Sequence, residues 1–446
     1  MPSVGSVVYL VLSALGAVNT AVAWRPPSRR RTLPGTLAFA TGMITSEFPV
    51  PVIGVQAVLT AIAAAVGWIA GWAGVAGLVL TGLSWIGLGA LRKAAAGARP
   101  VLEGALSQAL GPGYPDRVFH PRTPGSDAPA EGRLAALKLL RIRDRYALDR
   151  DIRYGPVPTF NLLDVWRHPD LAPDVRAPVL VQVPGGAWTT GNKEGQAYPL
   201  MSHLVERGWV CVPVSYRLSP KAAWPAHIVD VNAALAWVKD HIADYGGDPG
   251  FIVVTGGSAG GHLSSLAALT PAEPAFRGQD APAAAPVAGA VPLYGFYDWT
   301  NRDGIGHRYG VPHLERKVVQ QQITAAREIF EVASPMSQVS PSAPPFFVLH
   351  GRNDSMIPVE QAREFVRLLR AVSARPVAYA ELPRAQHAFD VLGSVRTRYA
   401  VAAIGDFLGV LYGDYRHGRI NASSGLPPSE QLPGGQPGGA PKQVSQ

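Results

Sequence analysis

Two hydrophobic regimes divide this chain. Val4 to Trp24 is a run of 21 residues without a charge, and Phe48 to Leu91 is another of 44. A helix rises about 1.5 Å per residue, so about 20 apolar residues cross the hydrocarbon layer of a bilayer. Backbone facing lipid must satisfy its own hydrogen bonds, which makes these runs helices. The pattern predicts transmembrane spans near residues 4–24, 50–70 and 73–91, in a module covering residues 1–95. A buried apolar core helix is the competing reading, but 44 uncharged residues exceed one. Gly67, Gly71, Gly74, Gly77 and Ala63 to Ala65 allow close helix packing. Trp68, Trp72 and Trp85 suit the membrane interfaces.

The second regime is shorter in period. After a Pro/Gly/Asp-rich connector (Gly111–Gly132), Arg133–Arg150 carries Leu134, Leu137, Leu139, Leu140 and Ile142 at helical spacing. Residues 96–150 therefore read as a linker and an N-terminal cap helix. Asp151–Trp166 reads as two short strands with a turn at Gly155-Pro156. Six apolar runs follow: Val179–Val183, Val210–Val214, Phe251–Thr255, Val287–Tyr294, Phe346–His350 and Val377–Leu382. Helical patterns lie between and after them, including His227–Tyr245, Val359–Val372 and Arg396–Tyr412. Continuous apolar strands separated by helices predict a mostly parallel sheet covered on both faces. The stretch 298–343 interrupts this rhythm and reads as an insertion over the sheet. Residues 418–446 are rich in Gly, Pro, Ser and Gln, which predicts a disordered tail.

Charge changes the picture in one place. The net charge is +8, and Arg25, Arg29, Arg30, Arg31, Arg92 and Lys93 against Glu47 put five of those charges in residues 1–95. That is a membrane-flank signature and not a nucleic-acid surface. With three spans, both basic clusters fall on one side, which makes a multi-pass membrane protein with its catalytic domain in the cytoplasm. An even span count reverses this, and Leu37–Ser46 is a marginal apolar run that could alter it. Cys211 is the single cysteine, so there is no intrachain disulfide and no cysteine metal cluster. No HExxH, CxxC or paired-carboxylate motif is present, so neither a metal nor another cofactor is expected.

The chemistry starts at Gly256-Gly257-Ser258-Ala259-Gly260, between the strand Phe251–Thr255 and the helical run His262–Leu269. Strand, sharp turn and helix with a serine at the apex form a nucleophile elbow. G-x-S-x-G alone is also an ordinary turn. A serine nucleophile needs a base and an acid to orient that base. Asp354 follows the strand Phe346–His350 and His387 follows Val377–Leu382, so order and strand-end placement agree. Taken singly, Asp354 reads as a turn aspartate and His387 as a surface histidine; jointly with Ser258 they read as a triad. Backbone donors for an oxyanion are expected at Ala259 and in the turn Pro184-Gly185-Gly186-Ala187-Trp188. His262, His350 and Asp230 read as structural.

These motifs, with Tyr216-Arg217-Leu218-Ser219-Pro220, Trp224-Pro225-Ala226, Asp230 and His387-Ala388-Phe389, together resemble the hormone-sensitive-lipase branch of the α/β-hydrolases over roughly residues 150–412. With the apolar N-terminus, the chain looks like actinobacterial membrane-associated carboxylesterases of that branch. The resemblance implies an α/β-hydrolase catalytic domain over residues 151–417, with a helical cap built from the N-terminal segment and the insertion near 298–343. It implies a serine carboxylic-ester hydrolase, esterase or lipase, with Ser258, Asp354 and His387 catalytic and Gly186, Ala187 and Ala259 as oxyanion donors. Expected partners are a small-molecule or lipid-like ester and the bilayer, with no nucleic acid. The family's leading loop histidine is here Pro184, and its last loop glycine is Ala187. An amide or formamide hydrolase, an acyltransferase and a non-catalytic membrane-tethered binding protein stay open as alternatives.

Overall fold

β-Branched and aromatic runs bounded by Gly and Pro pair into one eight-stranded sheet in the computed structural model, which describes residues 2–26, 33–121, 142–172, 174–278, 286–306 and 310–418. The strands are β1 (Ala147–Arg153), β2 (Leu162–Trp166), β3 (Ala177–Val183), β4 (Val210–Pro213), β5 (Gly247–Gly257), β6 (Gly289–Leu293), β7 (Phe346–Gly351) and β8 (Val377–Leu382). Their spatial order is β1-β2-β4-β3-β5-β6-β7-β8. β2 is antiparallel to both β1 and β4, and the remaining pairs are parallel.

Alternation along each strand builds two cores. Val179, Val181 and Val183 of β3 pack with Ile252 and Val254 of β5 beneath the helices Ala226–His241, Ala259–Leu269 and Glu360–Val372. Leu180, Phe251, Val253, Phe347 and Leu349 face the other way, onto the helices Tyr198–Val205 and Val395–Arg416. A pleated strand sends successive side chains to opposite faces, so a strand buried on both faces reads as one apolar run.

Two sequence expectations change here. The helical pattern expected through Arg150 ends at 146, because Ala147–Arg153 pairs with β2, Ala147 opposite Trp166. Residues 142–146 are helical, and the strand takes only 147–150 from the expected helix; positions 133–141 lie outside the described residues, as do most of the tail 418–446, the arginines at 29–31 and residues 307–309 of the insertion. Second, residues 98–110 belong to the body of the fold.

The N-terminal helices are α1 (Val4–Trp24), α2 (Leu33–Glu47), α3 (Pro49–Ala65), α4 (Gly71–Ala96) and α5 (Ala98–Leu110). α1 and the stretch Gly71–Leu110 are each long and apolar enough to cross a membrane. The marginal run at 37–46 is helical, and it meets α3 at a bend of 100°. Pro49 opens α3, where its missing N–H costs nothing. α3 runs back along α1 and touches α4: a Cβ on Gly16 of α1 would lie 2.9 Å from Gln56 Nε2, Thr60 Oγ1 meets Tyr9 Oη of α1 at 3.1 Å, and Gln56 Nε2 reaches Ser84 Oγ of α4 at 3.0 Å. α4 lies alongside α1 in the same direction, with Thr20 on Ser84 (2.8 Å), Thr81 on Ser13 (3.0 Å) and the Trp24 indole on the Gly87 carbonyl (3.2 Å). A Cβ on Gly77 would sit 2.8 Å from the Tyr9 ring, so glycine is what lets these two helices touch. Beyond Gly97 the chain continues into α5, which buries Leu102, Leu106 and Leu110 against the β8 side of the sheet. Each such leucine contributes about 1.5–3 kcal/mol.

The insertion includes short helical turns; its Trp299 packs on Trp188 and Trp224, and Leu314, Val318 and Phe330 join the same core. His262 stacks on Trp299 at 4.6 Å and gives its Nε2–H to the Ala333 carbonyl at 2.7 Å. Burial drives the His262 pKa down to about 3 and that of His227 down to about 4. Each is neutral when folded and binds a proton when unfolded below about 6.5. Their stabilisation is therefore complete above that pH and is lost as the pH falls toward 4, at about 1.4 kcal/mol per pH unit for each histidine. Thermal melts between pH 7.5 and 4.5 should show a midpoint that falls steadily below pH 6.5. A flat midpoint across that range would contradict this.

Candidate active site

Ser258 sits where β5 turns sharply into the helix Ala259–Leu269, at φ 59° and ψ −119°. A non-glycine residue is rarely found there, and the strain lifts its side chain off the sheet edge. The neighbours leave no choice of residue. A Cβ on Gly256 would lie 2.5 Å from both the Val183 and Gly260 carbonyls, and one on Gly257 2.5 Å from Tyr294 Oη. The Ser258 amide donates to the Leu293 carbonyl of β6 at 3.0 Å, which pins the turn. The serine is half-buried, and its hydroxyl has no hydrogen-bond partner among the described residues.

Asp354 and His387 meet at the same sheet edge. His387 Nδ1 donates to Asp354 Oδ2 at 2.6 Å, and a carboxylate can only accept, so Nε2 is left as the imidazole's lone-pair acceptor. The Asp354 side chain has no solvent exposure. Its other oxygen takes the amides of Met356 (2.7 Å) and Ile357 (2.8 Å), and His350 Nε2 lies 3.3 Å from Oδ2. Burial alone would raise its pKa, but the charge of His387 and the hydrogen bonds from His350 and His387 hold it well below the usual carboxylate range. Tyr294 links His387 to the turn at Ser258. Its ring centroid is 4.5 Å from that of His387, its hydroxyl fills the space beside Gly257, and it donates to the buried Asp390. Burial and the Asp390 charge push that phenol pKa far up, so it remains a donor.

The loop after β3 lies against the elbow, a Cβ on Gly185 falling 3.3 Å from that of Ser258. Gly186 (φ 130°), Ala187 (φ 52°) and Trp188 (φ 60°) are three consecutive positive-φ residues. At Gly186 a Cβ would collide with the Thr190 carbonyl, so no other residue fits. Among the described residues the amides of Gly186, Ala187 and Ala259 donate to no protein acceptor. Pro184 supplies no side-chain donor in the place of the family's histidine, and the loop is held differently. Gln196 clamps Gly185 from both sides, accepting its N–H at 2.8 Å and donating to its carbonyl at 3.2 Å. Tyr216 donates to the Pro184 carbonyl at 2.9 Å and His313 meets the Ala187 carbonyl at 3.1 Å. No sequence motif marks Gln196, His313, Tyr294 or the second histidine on Asp354. Asp230 is fully occupied by Arg217, whose guanidinium and amide reach it at 2.7–3.1 Å.

The arrangement offers a strained serine, an oriented imidazole and free amides, the components of acyl transfer. Among the described residues no group of three or more His, Cys, Asp or Glu could hold a metal ion.

The chain is similar to known esterases in sequence and in fold. Residues 163–369 match the BD-FAE family model. The chain is 48% identical over 418 residues to the probable carboxylic ester hydrolase LipM of Mycobacterium tuberculosis, covering 90% of this chain and 93% of that one. It is 49% identical to the esterase LipQ of the same organism over 78% of this chain and 85% of that one. The structure resembles that of a thermophilic esterase of Thermogutta terrifontis, at TM-score 0.51 and 22% identity over 60% of this chain and 93% of that one, a likeness of fold. The chain belongs to the carboxylic ester hydrolase family of these mycobacterial esterases, on an α/β-hydrolase fold.

Proposed function

We propose that ester hydrolysis by this chain proceeds through Ser258, His387 and Asp354. The observation that carries the assignment is the 2.6 Å bond from His387 Nδ1 to the buried Asp354 carboxylate, beside a serine strained at a strand-to-helix turn. Ser258 Oγ attacks the ester carbonyl carbon and its proton passes to His387 Nε2. Asp354 stabilises the imidazolium. The amides of Gly186, Ala187 and Ala259 receive the oxyanion, each worth about 2.7–4 kcal/mol in comparable sites. As the tetrahedral intermediate collapses, His387 gives its proton to the departing alcohol. It then takes a proton from water, whose oxygen attacks the acyl carbon, and returns a proton to Ser258 as the carboxylic acid leaves. A fluorophosphonate probe should label the folded protein on Ser258, with no label on Ser258→Ala. Labelling that persists in the alanine variant would remove Ser258 from this role.

We also infer that α1, α3 and α4 lie in a bilayer. Their polarity is inverted. Val11, Leu15, Val18, Val58, Leu83 and Ile86 face outward while Ser13, Thr20, Thr81 and Ser84 are buried between the helices. Water rewards the opposite arrangement, lipid this one. Arg25 follows the end of α1 and the pair Arg92-Lys93 stands at the C-terminal end of α4, two ends that lie side by side, so both flanks share one face with the hydrolase unit. Positive flanks favour the cytoplasmic side, and an ester substrate that partitions into the membrane fits this placement.

A further inference from the structure

Trp24, the last residue of α1, is gripped from both sides. Its indole binds α4 at the Gly87 carbonyl, and the Arg384 guanidinium lies 4.3 Å from its ring centroid. Its carbonyl oxygen accepts from Asn353 Nδ2 at 2.9 Å and from Arg384 Nη1 at 3.0 Å. Asn353 immediately precedes Asp354, and Arg384 stands three residues before His387. The two loops are also joined to each other, by the Asn353 amide on the Ala385 carbonyl (2.9 Å) and the Ser355 amide on Gln386 Oε1 (2.8 Å). They form one body, and the end of α1 caps it.

A second tie lies at the α2–α3 bend. Glu47 makes an ion pair with Arg396 in which neither side chain has any solvent exposure, and Ser394 Oγ donates to the other Glu47 oxygen at 2.7 Å. Arg396 also donates from Nη2 to the Pro383 carbonyl at 3.1 Å, just past the end of β8. A buried charge pair is a costly way to attach two units that apolar packing alone would hold. Unlike apolar packing, it is satisfied in only one register.

We propose that the N-terminal helices are a positioning part of the ester site, acting through Trp24 and Glu47 on the loops that present Asp354 and His387. This rests on the reading of those two residues as the acid–base pair. Asn353, Arg384 and Arg396 are positioning residues on the hydrolase side. A displacement of about 1 Å at a reacting group costs about 10²-fold in rate, so the membrane helices set the turnover number as well as the location of the enzyme.

The test uses the full chain in detergent micelles with a water-soluble short-chain ester, so that substrate partitioning plays no part. The double variant Asn353→Ala/Arg384→Ala should lose about 10- to 100-fold in kcat, with KM and the thermal midpoint little changed and the fluorophosphonate labelling rate falling in parallel. The single variant Glu47→Gln should lose as much in kcat and in labelling rate, with a lowered thermal midpoint because Arg396 is left buried without its partner. Arg384→Lys, which keeps a cation over Trp24 and a donor for its carbonyl, should retain most of the kcat that Arg384→Ala loses. A kcat within twofold of the parent in both the double variant and Glu47→Gln overturns the proposal. So does a joint fall of kcat and thermal midpoint at Arg384→Ala that Arg384→Lys does not repair, since that is a merely structural role. Ser258→Ala run alongside separates the two readings: if it stays active, the triad assignment fails whatever the positioning variants do.

Discussion

Ser258→Ala is expected to lower kcat on a short-chain chromogenic ester by about 10⁴–10⁶-fold, with a folded protein and a thermal midpoint close to that of the parent. The size follows from what alanine leaves behind. Free amides at Gly186, Ala187 and Ala259 still polarise a bound carbonyl, but no oxygen is present to form the acyl-enzyme, and water must attack unaided. Fold damage is not expected, because Ser258 Oγ holds nothing in place among the described residues and the turn is fixed by the Ser258 amide on Leu293 and by the glycines around it. Turnover within tenfold of the parent would mean that the nucleophile lies elsewhere.

Asp354→Asn should cost about 10⁴-fold in kcat. Donors approach the carboxylate from two sides: the Met356 and Ile357 amides on Oδ1, His387 Nδ1 and the His350 ring on Oδ2. An asparagine has one acceptor oxygen. If that oxygen serves the two backbone amides, its NH₂ confronts His387 Nδ1. The imidazole then relaxes by moving its proton to Nε2, the nitrogen that has to accept from Ser258. The variant therefore keeps shape and loses the productive tautomer. Steady-state kinetics beside a thermal melt checks this, and a loss below tenfold would show that Asp354 does not set the tautomer.

Much of this was legible in the primary structure, for identifiable reasons. A parallel strand buried on both faces has to be a short apolar run, so β3, β5, β7 and β8 stand out by composition, each within two residues except β5, which starts four earlier. Ser258 is legible because a nucleophile elbow forbids side chains at its flanks, which writes glycines into the chain. That Asp354 and His387 meet is legible from chain order at strand ends. Interactions between distant positions left no such trace. Gln196 grips Gly185 with an ordinary glutamine, and Glu47 finds Arg396 across 349 positions. Tyr294 and Asp390 beside His387 belong to no motif. The start of β1 was hidden because nothing in the charged run after residue 146 marks where a helical pattern stops, and only the partner strand β2 fixes it. Docking of α5 on the β8 side was hidden because a run continuing a long apolar helix reads as linker until its partner is known.

The proposed mechanism depends most directly on the identity of the acylated residue. Rapid acid quench of the full-length enzyme during turnover of a slowly deacylating ester, followed by proteolysis and peptide mass spectrometry, reads it without any mutation. The predicted result is a mass increment of one acyl group on the peptide holding Gly256–Gly260, localised to Ser258 and chased away by added water-soluble nucleophile. An acyl group on any other residue, or turnover with no acylated peptide at any quench time, would contradict the account.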